Sequence, residues 1–235
     1  MKIESLISYY DRESGGATEF RRLYSHIRKM NDGKLKSVMV TSSSVEEGKS
    51  TISAFLALSI AESTTDKILL LDTDLRRPMI NVLFKLPLET GFADLLEKKC
   101  TVKEAVKQTT VQGLSIITAG KLDKDPSAIL HQNRLREVFE ELKFYYDFII
   151  VDVPPVIPVS DPILIASEVD STLMVVRAGN TPREVAKRAI NFLKNSKINV
   201  LGIVMNNLDE VLPYYYSSKY YSYKYYNKSD QQVKT

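Results

Sequence analysis

The sequence predicts an α/β fold with a doubly wound, mostly parallel sheet that carries helices on both faces. Short apolar runs, which suit strands buried on both faces, alternate with amphipathic segments of helical period. One apolar run, residues 38–40, passes through a polar loop into a second apolar segment, residues 52–61, which is the order of a phosphate-binding strand, loop and helix. A length of 235 residues suits one such domain with tails.

Composition narrows the classes of protein to consider. The net charge is +3, so the overall balance gives no reason to expect a nucleic-acid partner. Cys100 is the single cysteine, which excludes a disulfide framework, and two histidines beside it make a zinc site implausible. The first residues lack the apolar core of a signal peptide, and no run approaches the ~20 apolar residues of a membrane helix. We expect a cytoplasmic protein that reaches the inner face of the membrane through a partner.

The chain divides into three predicted parts. Residues 1–17 are polar with a break at Gly15-Gly16 and predict an N-terminal arm. Residues 18–207 form the predicted domain, whose first helix covers residues 18–30 and ends at the loop 31–33. Further strands are expected at residues 38–40, 67–72, 114–118, 148–151, 171–176 and 200–205. Further helices are expected at residues 52–61, 91–98, 101–107, 132–145 and 181–195, the third of these five starting in a capping box from Thr101 to Glu104.

The polar loop ends in Gly48-Lys49-Ser50, the closing residues of a P-loop. Backbone N–H groups at the start of the following helix can bind a polyphosphate, with help from the helix dipole. Lys49 can reach the β- and γ-phosphates, and the Ser50 hydroxyl can bind Mg²⁺. The first glycine of the pattern falls on Ser43, so a chance Gly-Lys-Ser in a surface loop is the alternative.

Aspartates follow two of the predicted strands. Asp72 and Asp74 come at the end of residues 67–72, and Asp152 follows residues 148–151 in Walker B form. Ligands of open α/β sheets bind at the carboxyl ends of strands, so these carboxylates are expected beside the P-loop. Asp152 would then bind Mg²⁺ together with Ser50. Capping of nearby turns is the alternative role for such aspartates.

After Asn207 the composition changes. Residues 208–235 predict a flexible tail, in which tyrosine alternates with serine and lysine and aliphatic residues are few. Eight of the thirteen tyrosines lie there: Tyr214, Tyr215, Tyr216, Tyr220, Tyr221, Tyr223, Tyr225 and Tyr226.

Taken together, GKST at residues 48–51, DTDLRRP at 72–78, IIVDVPP at 149–155 and the tyrosine cluster resemble the bacterial tyrosine kinases. The resemblance covers residues 18–226, and in that family the three motifs are Walker A, A′ and B. It implies an ATP- and Mg²⁺-dependent protein tyrosine kinase that autophosphorylates its tail, in the stand-alone branch that regulates capsule or exopolysaccharide production. The implied partners are other copies of the chain, a separate transmembrane activator and a tyrosine phosphatase.

The resemblance also assigns roles around the nucleotide. It implies that Lys49 contacts the phosphates, that Ser50, Asp74 and Asp152 hold Mg²⁺, and that Asn206 reads the adenine edge. The nucleotide contacts expected on this basis are Ser44, Glu46, Glu47, Gly48, Lys49, Ser50, Thr51 and Asn206.

On the acceptor side, the resemblance places Asp72 opposite the incoming tyrosine hydroxyl, with Arg76 and Arg77 near the transferred phosphoryl group. Which arginine acts is left open. Free tyrosine and aspartate differ by about six pKa units, or roughly 8 kcal/mol, so Asp72 is expected to orient the hydroxyl and accept its proton late.

Two departures from the family pattern and two rival functions remain. The family's Glu-x-x-Arg-x-x-Arg oligomer motif falls on Thr18, Arg21 and Tyr24, which leaves Arg21 as the expected interface residue; packing of this helix on its own domain is the alternative. Val45 and Glu46 replace a Pro-Gly pair. A MinD/ParA-like ATPase would place lysine where Ser44 stands, and an adaptor phosphorylated by another kinase is the second rival.

Overall fold

The computed structural model describes residues 10–207, without the side chains of residues 31 and 32. Within that range the chain forms one seven-stranded sheet in the order β3-β4-β2-β5-β1-β6-β7, parallel throughout except for the antiparallel pair β3–β4. The strands are β1 (Ser37–Ser42), β2 (Ile68–Asp72), β3 (Lys107–Gln108), β4 (Leu114–Ile117), β5 (Phe148–Asp152), β6 (Ser171–Arg177) and β7 (Val200–Asn206). The helices are α1 (Gly15–Lys29), α2 (Lys49–Ser63), α3 (Ile80–Phe84), α4 (Phe92–Leu96), α5 (Val102–Ala105), α6 (Gln132–Tyr145), α7 (Asp161–Ala166) and α8 (Arg183–Asn195).

The central strands are buried on both faces, as their continuous apolar sequences predict. Every residue of β1, β2 and β5 is buried. On β2, Leu70 faces the cluster that contains α1, α2 and α3, whereas Leu69 faces the cluster formed by α4 to α8. Two apolar layers on one parallel sheet confirm the doubly wound fold expected from the sequence.

The first helix begins at Gly15, three residues earlier than predicted. Ser14 caps it, because its Oγ accepts the N–H of Ala17 at 3.1 Å. The Tyr10 ring also stacks on Phe55 with centroids 6.0 Å apart. The predicted arm over residues 1–17 is therefore wrong from residue 10 onward; residues 1–9 lie outside the described range. Glycines in a first helical turn do not break a helix when a side chain caps it.

The long helix α6 was predicted correctly, whereas the predictions for the short helices differ from the structure. The helix at residues 132–145 has the expected bounds, and the capping box of Thr101 and Glu104 is confirmed by bonds in both directions. The helix expected at 101–107 ends at Ala105, since Lys107 pairs with β4 as an antiparallel edge strand. The short helices α3 and α7 were not predicted.

The parallel strands bring the predicted site residues to one edge. Asp72 stands opposite Asp152 in the β2–β5 register, and β1 adjoins β5. On the other side of β1, Arg177 of β6 stands opposite Asn206 of β7. None of the helices within residues 10–207 is both long and apolar enough to cross a membrane.

Candidate active site

The loop between β1 and α2 requires glycine at position 48. Gly48 has a left-handed φ of 93°, and an added Cβ would collide with Nδ2 of Asn206. The Asn206 amide itself donates to the carbonyl of Glu47 at 3.0 Å. Asn206 therefore lies against the loop, and its Oδ1 accepts the N–H of Asn207 at 2.9 Å, so backbone engages both ends of its amide. Its contact with the adenine edge stays a prediction.

Glu47 braces the loop from inside. Its carboxylate accepts the backbone N–H groups of Ser43 and Ser44 at 2.7 and 3.1 Å, and it also receives the hydroxyl of Thr181 from the turn before α8. Its side chain is therefore a loop support and does not point into the cavity described below. The same bond occupies the N–H of Ser44, which was expected to meet the nucleotide.

Lys49 lies at the centre of the acidic cluster. Its Nζ is 2.8 Å from Asp74 Oδ2, 3.5 Å from Asp152 Oδ2 and 3.2 Å from Ser50 Oγ. Burial by itself would lower the pKa of Lys49, but the carboxylates of Asp152 and Asp74 raise it above its ordinary value. The residues predicted to bind phosphate and metal are therefore brought together around one ammonium group.

Asp152 and Ser50 form the tightest contact of the cluster. Ser50 Oγ donates to Asp152 Oδ2 at 2.6 Å, and Ser53 Oγ donates to Asp152 Oδ1 at 3.2 Å. Asp152 is fully buried, and this burial raises the pKa of its carboxyl group. A carboxylate, a hydroxyl and the neighbouring Asp74 are the hard oxygen ligands that Mg²⁺ prefers, so the donor set fits the predicted ion. Ser53 was not singled out from the sequence.

Asp72 is fully buried beneath this cluster and does not line the cavity. Its Oδ2 accepts the backbone N–H groups of Met79 and Ile80 at 3.2 and 3.1 Å, and its Oδ1 accepts that of Asp74 at 3.1 Å. Burial first, and then the carboxylate of Asp152, raise the pKa of Asp72 to about 8. The expectation that Asp72 faces an incoming hydroxyl does not match this arrangement, because both its oxygens hold the turn that leads into α3.

The two arginines of residues 72–78 (DTDLRRP), called the Asp-rich turn below, make different contacts. Arg76 is held by Asp161 of α7, with Nε 2.8 Å from Oδ2, and it also donates to Ser127 at 3.1 Å. Arg77 is 63% exposed, and within residues 10–207 its guanidinium forms one ion pair, with Glu46 at a long 3.7 Å. Arg77 is thus the arginine whose guanidinium group is exposed and accessible to a ligand.

A cavity of about 520 Å³ opens beside these groups. Its polar lining comes from Gly48, Lys49, Ser50, Thr51 and Asp74, and from the two arginines. The remaining lining residues are Val45, Glu46, Met79, Leu83, Pro154, Pro155, Pro158 and Val159. Among residues 10–207, no group of three or more His, Cys, Asp or Glu side chains is arranged to hold a metal ion by itself. A cation here would therefore need the Ser50 hydroxyl and non-protein oxygens as well.

Arg21 is engaged within its own chain. Its guanidinium donates to the carbonyl of Arg12 at 2.8 Å and to Thr18 Oγ1 at 2.9 Å. Tyr24 is buried edge-on against Phe148. The helix therefore packs on its own domain, which was the alternative to an oligomer motif; a role for Arg21 at an interface stays a prediction. The tyrosine-rich tail lies outside the described residues.

Similarity to known proteins agrees with this geometry. The family model described as "ParA: NUBPL iron-transfer P-loop NTPase" matches residues 35–232. The putative tyrosine-protein kinase CapB of Staphylococcus aureus is 33% identical over 201 residues, which span 84% of this chain and 88% of that protein. The tyrosine-protein kinase YwqD of Bacillus subtilis (strain 168) is 32% identical over 219 residues, 92% of each chain.

Among solved structures, that of the chimerical protein CapA2B2 superposes with a TM-score of 0.82 and 29% identity, over 88% of this chain and 91% of that one. The ParA match confirms the P-loop fold that the kinases and the rival ATPases share, and the two named relatives favour the kinase. The chain belongs to the bacterial tyrosine kinases of the CapB type, and it is a protein tyrosine kinase.

Proposed function

We propose that this kinase binds ATP with Mg²⁺ at the Lys49 cluster and transfers the γ-phosphoryl group to tyrosines of residues 214–226, between protomers. The observation that carries the proposal is the meeting of Lys49, Ser50, Asp74 and Asp152 in one cluster, of which Lys49, Ser50 and Asp74 line the cavity. We assign nucleotide binding and phosphoryl transfer to the domain of residues 10–207, and residues 208–235 supply the acceptor tyrosines.

The chain's own residues account for phosphate binding. The N-terminus of α2 presents free backbone N–H groups and the positive end of the helix dipole. Lys49 emerges from its first turn and can exchange its carboxylate partners for phosphate oxygens. Ser50, Asp74 and Asp152 would hold Mg²⁺, which when bound neutralises the phosphate charge that develops during transfer. Asn206, beyond the loop on β7, would contact the base.

In the transfer itself, the phenol oxygen forms a bond to the γ-phosphorus while the bond from γ-phosphorus to the bridging oxygen breaks and ADP departs. The phenolic proton passes to a carboxylate of the Asp-rich turn. Asp74 lines the cavity, whereas Asp72 can meet the hydroxyl only if the backbone amides of Met79 and Ile80 leave its oxygens. Asp72→Asn tests the choice, because it leaves the proposed Mg²⁺ ligands in place: kcat is lost with nucleotide binding retained if Asp72 takes the proton, and kcat is kept if Asp74 takes it.

Arg77 is the proposed cation for the transferred phosphoryl group. It is exposed in the cavity lining and free of a short ion pair, while Arg76 is bound to Asp161. We expect Arg77→Ala to lower kcat at least tenfold with the melting temperature unchanged, because the lost contact forms with the phosphoryl group. Arg76→Ala, in contrast to Arg77→Ala, should lower the melting temperature, because it leaves the buried Asp161 unpaired. Equal effects of the two variants on kcat and on melting would contradict the assignment.

The activity is tested by mixing purified full-length chain with MgATP and measuring its intact mass. Stepwise additions of phosphate, absent in Lys49→Met, support the kinase. Release of phosphate without a mass change indicates a MinD/ParA-like ATPase, and neither event indicates an adaptor phosphorylated by another kinase.

Transfer between protomers requires its own experiment, because reach does not exclude transfer within one chain. Tyr214 lies eight residues after Asn206, a span of at most about 26–29 Å. The Lys49→Met chain, which keeps its tyrosines, is therefore mixed with an active chain whose eight tail tyrosines are phenylalanine. Phosphate on the Lys49→Met chain demonstrates transfer between copies, and its absence contradicts the proposal.

The wider role proposed is regulation of capsular or extracellular polysaccharide production. It is supported by the names of the relatives, the putative tyrosine-protein kinase CapB and the chimerical protein CapA2B2. We propose a separate transmembrane activator as partner, a tyrosine phosphatase as antagonist, and homo-oligomers whose contacts weaken as the tail gains about −1.5 to −2 charges per phosphate. Co-purification of the full-length chain with a separate transmembrane protein tests the first of these.

A further inference from the structure

The cavity has two chemically different ends. Its polar end is the Lys49 cluster described above. We call its apolar end the part lined by two segments: Met79, the N-cap of α3, and Leu83 within α3 form one wall, and Pro155, Pro158 and Val159, between β5 and α7, form the other. Met79 is 42% exposed, which is high for a large apolar side chain and leaves its thioether available for contact.

The strand order indicates which of the two substrates, nucleotide or acceptor, lies at the apolar end. Both walls follow β2 and β5, which lie on one side of β1, whereas Asn206 lies on β7, on the other side of β1. A nucleotide whose base lies near Asn206 and whose phosphates cross the loop at Lys49 directs its γ-phosphoryl group toward β2 and β5. The apolar end is then beyond the γ-phosphoryl group, where the acceptor approaches.

We propose that the apolar end, between Met79 and Leu83 on one side and Pro155, Pro158 and Val159 on the other, is the slot for the phenol ring of the acceptor tyrosine. The inference rests on the proposed function and specifies its acceptor site. A phenol ring is flat, largely apolar and polar at its tip, so it fills an apolar slot while its hydroxyl reaches the Lys49 cluster. A serine or threonine is too short to fill the slot, so the same walls select tyrosine.

The two walls are joined by the Arg76–Asp161 ion pair. Arg76 belongs to the turn before α3, and Asp161 begins α7, directly after the second wall. Asp161 is almost fully buried, and the guanidinium also donates to Ser127. Because this contact bridges the two segments, it fixes the width of the slot. Arg76 and Asp161 are accordingly positioning residues, which act through the two walls that they join.

The test uses the full-length chain with its eight tail tyrosines changed to phenylalanine, so that a synthetic peptide of residues 212–226 is the acceptor. Met79→Ala is compared with Met30→Ala, whose methionine is equally exposed (43% against 42%) but lies at the end of α1. Losing ~50 Å² of apolar contact with the ring should raise the KM for peptide about tenfold. The affinity for a fluorescent ADP analogue with Mg²⁺ should stay within twofold, and Met30→Ala should leave both values unchanged.

A second variant fills the slot from the opposite wall. Val159→Trp should abolish peptide phosphorylation while the ADP analogue still binds, and this binding also shows that the protein has folded. An unchanged KM in Met79→Ala would overturn the proposal, because the apolar end would then not contact the acceptor. Weakened ADP binding in either variant would also overturn it, because the apolar end would then bind the nucleotide. If the parent chain phosphorylates no tyrosine at all, the proposed function fails first and the acceptor slot fails with it.

Discussion

Replacing Lys49 by methionine should destabilise the folded protein as well as inactivate it. The ammonium group is almost buried and lies between two buried carboxylates, 2.8 Å from Asp74 and 3.5 Å from Asp152. Removing one partner of a buried ion pair costs about 3–5 kcal/mol. Asp152 keeps the hydroxyl of Ser50, and Asp74 keeps the N–H of Arg77 at 3.0 Å, so the lower figure of about 3 kcal/mol applies. For a domain of this size that corresponds to a fall of about 6–12 °C in melting temperature.

The assay is thermal unfolding at pH 7.5 without added nucleotide or Mg²⁺. Lys98→Met is the matched control, because Lys98 is 69% exposed and its contact with Glu137 is long at 3.6 Å. Adding Asp74→Asn to Lys49→Met should recover at least about 1 kcal/mol by removing one unpaired charge. A melting temperature for Lys49→Met within 2 °C of the parent chain, or no recovery in the double variant, would refute this account of the cluster.

Two further predictions concern other parts of the fold. Gly48→Ala should cost about 1–2 kcal/mol, because alanine is strained at φ 93° and its Cβ displaces Asn206, whereas Gly202→Ala, with open space around its Cβ, should be nearly neutral; urea midpoints compare the two. Tyr24→Phe should cost about 1 kcal/mol at pH 8 through its lost bond to Asp66. Burial, chiefly, raises the pKa of Tyr24 to about 12 from 10.0, so the native state keeps a proton that the unfolded state loses above pH 10. The parent chain therefore loses stability as pH rises from 10 to 12, and the two urea midpoints should coincide near pH 11, whereas a gap that stays constant would contradict the shift.

The large elements of this fold could be predicted because their signals are local. Central strands buried on both faces appear as continuous apolar runs, and α6 has a helical period from end to end. The short helix α3 depends instead on Asp72, whose carboxylate accepts its first N–H group eight residues along the chain. A five-residue helix stabilised in that way leaves no periodic signal in the sequence.

The site residues also divide into those predictable from local sequence and those that depend on distant partners. Lys49 and Ser50 stand in one contiguous motif and Asp152 ends an apolar strand, so sequence reasoning placed all three together. The choice between Arg76 and Arg77 could not be made, because it depends on Asp161, 85 residues away. The bond between Thr181 and Glu47 spans 134 residues and was missed for the same reason. Such pairs become visible only when the sheet order brings the segments that follow the strands together.

The acidic cluster also constrains how the kinase binds its substrate. Lys49 is the cation that Asp74 and Asp152 share, and it is the same group that a P-loop uses to bind phosphate. One ammonium cannot fully neutralise two buried carboxylates and a triphosphate at once. When Lys49 turns toward phosphate, the charge it leaves behind must be balanced, and Ser50 is placed beside Asp152 with the oxygen ligands that Mg²⁺ prefers. On the proposed function, we therefore expect phosphate binding and metal binding to be coupled through the position of Lys49, so that each weakens when the other is absent.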